Sequence, residues 1–168
     1  MEKSMRIEYA GWLAKKLQPY CDHEQSYMFT GTFKNYRHAD GSVKPPSFSK
    51  ARGRADALND ELRALEMRAL TTVELGTLVH ARETWTEDGK SFAMPGDVGR
   101  YHVHSVFTGR GLAWLEDGSV FGEDIESHLR RYWEKLGWCD LRLVDSAAAV
   151  AYATKYVLKS DSWRYWTI

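Results

Sequence analysis

The chain is poor in cysteine: Cys21 and Cys139 are the two in 168 residues, far apart and matching no zinc spacing. That excludes a disulfide framework and a cysteine-based metal site, and it fits reduced thiols in a cytoplasm. Net charge is lacking as well, since 23 Lys and Arg balance 23 Asp and Glu. No bulk positive field therefore gathers a polyanion from a distance, and any nucleic-acid surface has to be a local patch. No apolar run approaches a membrane span, and the charged stretch Met1 to Arg6 lacks the hydrophobic region of a signal peptide. Repeats, low-complexity tracts and an interdomain linker are absent too. These absences predict a soluble, intracellular protein folded as one domain over residues 1–168.

Apolar and aromatic residues are plentiful, 43% hydrophobic and 13% aromatic, enough for one substantial core. Ile7, Ala10, Leu13, Ala14 and Leu17 recur at helical spacing before Pro19, so residues 1–20 carry a first helix that Pro19 ends. Tyr27 to Phe33 is aromatic and β-branched and reads as a strand, with Gly31 permitting close backbone approach. Ala51, Ala55, Leu58, Leu62, Leu65 and Ala69 share one face of a second helix, Ser49 to Leu70. Thr77 to Trp85 and Tyr101 to Phe107 read as strands of a hairpin with a long tip containing Gly89, Pro95, Gly96 and Gly99.

Glu123 to Leu136 is a third helix, acidic at its start and closed by Gly137. Cys139 to Val144 is a short strand, and Ser146 caps an alanine-rich helix running to about Lys159. Gly109 to Gly122 is a loop or short extra hairpin. This order implies an α+β domain with an antiparallel sheet of about four to five strands and helices mainly on one face.

Two clusters carry candidate chemistry. Alternation in Tyr101-His102-Val103-His104-Ser105 sends His102 and His104 to the same face, where two imidazoles can share one metal ion. The hairpin would bring Glu83 across the ladder to them, with Glu87 as a rival ligand. Two nitrogens and a carboxylate suit Mn²⁺ and tolerate Mg²⁺ at a site that polarises a phosphate oxygen. The plainer reading is a hydrogen-bonded histidine pair on a sheet, with Glu83 a surface partner of Arg82 or Arg100.

On the last helix Tyr152 and Tyr156 are four apart, so both phenols share a face, with Lys155 beside them. A phenol can attack a phosphodiester when a cation or polarisation of the phosphate offsets its ordinary pKa of about 10. The alternative is amphipathic packing with a snorkelling lysine. Basic residues from Lys44 to Arg68, among them Arg52 and Arg54, outnumber the acidic ones and form either a nucleic-acid patch or a solvated helix face.

Taken jointly, Met28 to Phe33, Tyr101 to Phe107 and Tyr152 to Tyr156 resemble, in order, the three motifs of the replication initiators of rolling-circle plasmids and single-stranded DNA viruses. These belong to the His-hydrophobic-His endonuclease superfamily, and the resemblance spans residues 27–159 as a nuclease core. It implies a Rep-type sheet of ferredoxin and RNA-recognition topology, with the tyrosine helix lying across the metal-bearing face. It also implies one divalent ion, Mn²⁺ or Mg²⁺, held by His102, His104 and Glu83. Tyr152 is the implied nucleophile, with Lys155 at the phosphate and Tyr156 as a possible second nucleophile. Thr30, Thr32, Lys159, Arg52 and Arg54 are candidate DNA contacts.

The resemblance implies nicking and joining of single-stranded DNA at an origin or stem-loop, through a 5′-phosphotyrosine and a free 3′ hydroxyl. Host polymerase and helicase are implied partners, a membrane is not, and the setting is the cytoplasm of a bacterial or archaeal host. Gly31 departs from the bulkier residue typical of the first motif. The sequence G-x-x-x-x-G-K-[ST] is missing, so no appended helicase is expected, and the chain is a stand-alone nicking protein or an isolated nuclease domain. Two other readings stay open: a non-catalytic single-strand-binding module in which sheet aromatics stack bases, and a transposase or relaxase relative.

Overall fold

A four-stranded antiparallel sheet with helices on both faces organises the chain. The computed structural model describes residues 3–37, 39–76, 83–85, 91–93, 100–109 and 124–158. In order these form α1 (Lys3–His23), β1 (Ser26–Thr32), β2 (Tyr36–Arg37), β3 (Val43–Lys44), α2 (Phe48–Ala64) and β4 (Met67–Leu75). There follow β5 (Glu83–Trp85), β6 (Ser91–Ala93), β7 (Tyr101–Gly109), α3 (Ile125–Trp133), β8 (Cys139–Val144) and α4 (Ser146–Leu158). The main sheet has the order β4-β7-β1-β8, while β2 with β3 and β5 with β6 make separate two-stranded ladders. Helix α2 joins β1 to β4 and α3 joins β7 to β8, which is the split β-α-β arrangement of ferredoxin-like folds.

Local sequence accounts for the two crossover helices. Ser47 caps α2 by accepting a hydrogen bond from the Lys50 amide (3.4 Å), and Ala51, Ala55, Leu58 and Leu62 are buried at helical spacing. Asp124 caps α3 by accepting from the Ser127 amide (2.7 Å), which holds the Asp124 carboxyl below its ordinary pKa. Both helices cover one face of the sheet in a core that contains Phe29, Val103, Phe107, Leu129 and Trp133. His128 Nε2 lies 2.7 Å from Glu61 Oε1, joining α3 to α2. Under α2, Thr71 donates to Asn59 Oδ1 (2.6 Å) and shares a second hydrogen bond with Ser105 (2.8 Å), which satisfies the buried hydroxyls and the Asn59 carbonyl oxygen, while Asn59 Nδ2 has no hydrogen-bond partner among the described residues.

The opposite face is covered by α1 and α4, whose Ala10, Leu13, Cys21, Ala149, Val150 and Ala153 pack with Leu70 and Val106 of the sheet. The α+β class and antiparallel sheet agree with the sequence, whereas the helices expected mainly on one face divide between the two. The two cysteines are buried free thiols on opposite sides of the sheet. Burial pushes both pKa values up, as suits packing residues.

Four expectations about elements are corrected. Helix α1 continues through Pro19 to His23, because its last turns have tertiary partners: Cys21 is buried and Tyr20 lies under the Arg68 guanidinium (4.0 Å). Helix α2 stops at Ala64 rather than Leu70. Glu66 there adopts the left-handed conformation (φ 57°) and turns the chain into β4, whose two covered faces leave no alternating pattern to read. The partner of β7 is therefore β4 rather than the stretch from Thr77 to Trp85, and β5 pairs with β6 instead. Finally, Asp145, not Ser146, caps α4 by accepting from the Ala148 amide (2.7 Å). Residues 77–82 and 110–122 lie outside the described residues, as does the role expected of the Gly109 to Gly122 segment.

At Gly31 the sheet and α3 approach closely. The Trp133 indole lies against it, and Nε1 donates to the Thr32 carbonyl (2.9 Å). A Cβ at Gly31 would overlap the indole, whereas one at Gly53, on the exposed side of α2, would meet nothing within 4 Å. Urea unfolding should show Gly31→Ala destabilised by about 1–3 kcal/mol through overpacking. Gly53→Ala should gain about 0.5–1 kcal/mol from helix propensity. Equal effects of the two would contradict the packing described.

Candidate functional site

Antiparallel pairing places side chains of neighbouring strands in rows, because residues directly opposite one another share a face. Glu74, His102 and Thr32 form one row across β4, β7 and β1. The next row is Thr72, His104, Thr30 and Asp140, reaching β8. Further along, Leu70, Val106 and Met28 pass under α1 and α4. The two imidazoles thus occupy the same face as α4, and both are largely buried, at 9% exposure each. Their rings lie 6.1 Å apart, inclined by 24°.

Helix α4 brings Tyr152 onto this face. Its phenol oxygen is 3.0 Å from His104 Nδ1 and 3.2 Å from Thr30 Oγ1, and Thr30 Oγ1 is itself 3.2 Å from His104 Nδ1. Three polar groups from β1, β7 and α4 therefore form a closed triangle of hydrogen-bond contacts. The opposite edge of the His104 ring faces a carboxylate, with Nε2 3.4 Å from Glu74 Oε2. Leu70, Thr72, Val106 and Ala153 complete the lining of the small cleft between His104 and Tyr152.

This arrangement gathers His102, His104, Tyr152, Thr30 and Thr32, which the sequence had singled out, and adds Glu74, which it had not. Glu83 belongs to the β5–β6 ladder, opposite Ala93, so the strand carrying it is not the neighbour of β7; its side chain lies outside the described residues. Glu74 occupies the register position expected of it. No alternating pattern flagged the strand that carries Glu74, and the one available signal was a carboxylate just before Gly76.

Lys155 is exposed on α4 close in sequence to Tyr152, while Tyr156 is placed by its backbone in the same helix. The Tyr156 side chain and residues Glu87 and Lys159 lie outside the described residues. Arg52 and Arg54 are not brought to the site. They ride on α2, behind the sheet, because the apolar face of that helix packs on the side opposite the imidazoles; Arg52 instead pairs with Asp56 (3.8 Å).

The donor set can be tested against a divalent ion. Two neighbouring ligand atoms about 2.1 Å from one octahedral ion stand about 3.0 Å apart. His104 Nε2 and Glu74 Oε2 are 3.4 Å apart, so they would have to close by about 0.4 Å to share such an ion. A third ligand requires His102 to turn, since among the described residues no group of three or more His, Cys, Asp or Glu side chains is gathered around one point. Mixed imidazole and carboxylate donors suit Mn²⁺ and are compatible with Mg²⁺.

The phenol contact makes a prediction about stability. Tyr152→Phe should lower unfolding free energy by about 0.5–1.5 kcal/mol, the usual contribution of a partly buried hydrogen bond. Glu74→Gln should change it less, because the amide keeps the size of the side chain and an oxygen that can accept a hydrogen bond from His104 Nε2. Denaturant titration of the two variants measures both, and a Tyr152→Phe protein as stable as wild type would mean that the phenol does not engage His104 in solution. Against known proteins, no family model, no curated protein and no solved structure matches the chain.

Proposed function

We propose that this chain is a metal-dependent endonuclease that nicks and rejoins single-stranded DNA through Tyr152, the chemistry that initiates rolling-circle replication. The observation that supports it most is the 3.0 Å approach of the Tyr152 phenol to His104 Nδ1, between residues 48 apart in the chain. A nucleophile beside a paired-imidazole strand, with a carboxylate on the next strand, is a donor set suited to metal-assisted phosphodiester transesterification. The nicking protein would work in the cytoplasm of a bacterial or archaeal host. Among the described residues no helix is long and apolar enough to cross a membrane.

His102, His104 and Glu74 would hold the divalent ion, Glu74 taking the role that the sequence had given to Glu83. When bound, such an ion supplies Lewis-acid polarisation of a phosphoryl oxygen. Thr30 and His104 fix the direction of the Tyr152 phenol from two sides. The phenol oxygen forms a bond to phosphorus as the bond from phosphorus to the 3′ oxygen breaks. The proton lost by the phenol balances the one taken up by the departing 3′ oxygen. A 5′-phosphotyrosine and a 3′ hydroxyl result, and attack by a 3′ hydroxyl on the phosphotyrosine reseals the strand without ATP. The exposed Lys155 suits contact with the phosphate backbone at the same helix.

Incubation with mixed single-stranded oligonucleotides and Mn²⁺, followed by a denaturing gel, tests this reading. Wild type should give a metal-dependent adduct that EDTA abolishes and Tyr152→Phe lacks. Glu74→Gln should raise the Mn²⁺ concentration needed for half-maximal adduct by about 10- to 100-fold. A protein that binds the oligonucleotides without forming an adduct would instead match a single-strand-binding module.

A further inference from the structure

The row that contains Glu74, His102 and Thr32 does not end at β1. The β1–β8 pairing continues past Gly31 and Cys139: the Thr32 amide donates to the Trp138 carbonyl (2.8 Å), the Thr32 hydroxyl donates to the same oxygen (3.2 Å), and the Lys34 amide donates to the Leu136 carbonyl (2.9 Å). Cys139 is buried with the α2 and α3 side. Alternation therefore sends Trp138 to the imidazole side, opposite Thr32 and two strands from His102, about 10 Å across the sheet.

Its environment does not explain a tryptophan there. Trp138 is 55% exposed, whereas Trp133, five residues earlier, is fully buried in the core. An exposed indole contributes little to folding, since it leaves most of its large apolar surface in water. Nor is it the centre of an apolar docking patch, because its row continues with the polar Thr32, His102 and Glu74. Nearby cations favour an anionic chain. Lys34 and Lys135 are exposed on the two segments whose backbones pair beside Trp138; the acidic neighbours are Glu134 and Asp140, and Asp140, in the next row of the same face, is paired with Arg142 (2.6 Å).

We propose that Trp138 is a base-stacking platform, holding an unpaired base of single-stranded DNA next to the phosphate that Tyr152 attacks. The inference deepens the nuclease reading and rests on it for the position of that phosphate. An indole face accepts any base, so Trp138 contributes affinity and alignment, while cations beside it follow the backbone. A base held there fixes which phosphate of an extended strand reaches the cleft between His104 and Tyr152.

Fluorescence anisotropy with a labelled mixed-sequence single strand of about 20 nucleotides tests this, using Tyr152→Phe as the parent so that no cleavage occurs. Adding Trp138→Ala should weaken binding about 5- to 100-fold, and adding Trp138→Phe, which keeps an aromatic face, should restore most of it. Thermal melting of both should match the parent, given the exposure of the side chain. In the protein with Tyr152 intact, Trp138→Ala should raise the oligonucleotide concentration for half-maximal adduct more than it lowers the saturated rate.

Binding that changes less than about twofold in Trp138→Ala overturns the stacking role and leaves the nuclease reading standing. Trp138-dependent binding with no Mn²⁺-dependent adduct overturns the nuclease reading and leaves the stacking role standing. Absence of binding by the parent overturns both.

Discussion

Strand β7 carries the two imidazoles, and its pairing on both sides is the constraint from which the site follows. With β1 on one edge and β4 on the other, its register cannot slip by one residue without moving Val103 and Phe107 out of one core and Val106 out of the other. That fixed register sends His102 and His104 to a single face. It also decides their neighbours, Glu74 on one side and Thr32 and Thr30 on the other. The chemistry of the site is thus a consequence of hydrophobic burial on both faces of one strand.

The second requirement is that Tyr152 come back over that face. Strand β8 pairs with β1 and ends at Val144, and Asp145 caps the helix that follows. Ala149, Val150 and Ala153 then press α4 against α1, with Leu70 and Val106 of the sheet below. Small residues let the helix lie close, and Tyr152, on the flank of that apolar stripe, reaches His104 and Thr30. In the proposed reaction burial of the imidazoles would matter electrostatically, since polar groups held in a water-poor cleft act on a phosphate more strongly than in bulk solvent.

Much of this was legible in the sequence, where local pattern and tertiary role coincide. Strand β1, strand β8, the last helix and the shared face of His102 and His104 follow from alternation and from turn residues. Strand β4 was hidden for a physical reason. Leu65 and Ala69 continue the helical spacing of α2, and Met67 to Val73 is buried on both sides apart from Arg68, so neither period stands out. The left-handed turn at Glu66 lacks the glycine that would have announced it. Losing β4 meant losing Glu74 and assigning its position to Glu83. Trp138 escaped notice because one tryptophan among seven has no local mark; its exposure and its row emerge from the β1–β8 register.

In the proposed mechanism the phenol of Tyr152, held against His104, is the group that takes the DNA. Trypsin cleaves after Arg142, Lys155 and Lys159, so it separates a peptide from Leu143 to Lys155, whose sole tyrosine is Tyr152, from one holding Tyr156. Mass spectrometry of trypsin- and nuclease-digested protein, after reaction with single-stranded DNA and Mn²⁺, should find the nucleotide phosphate on the Leu143 to Lys155 peptide. Phosphate found on the Tyr156 peptide alone, or on no tyrosine at all, would contradict the account.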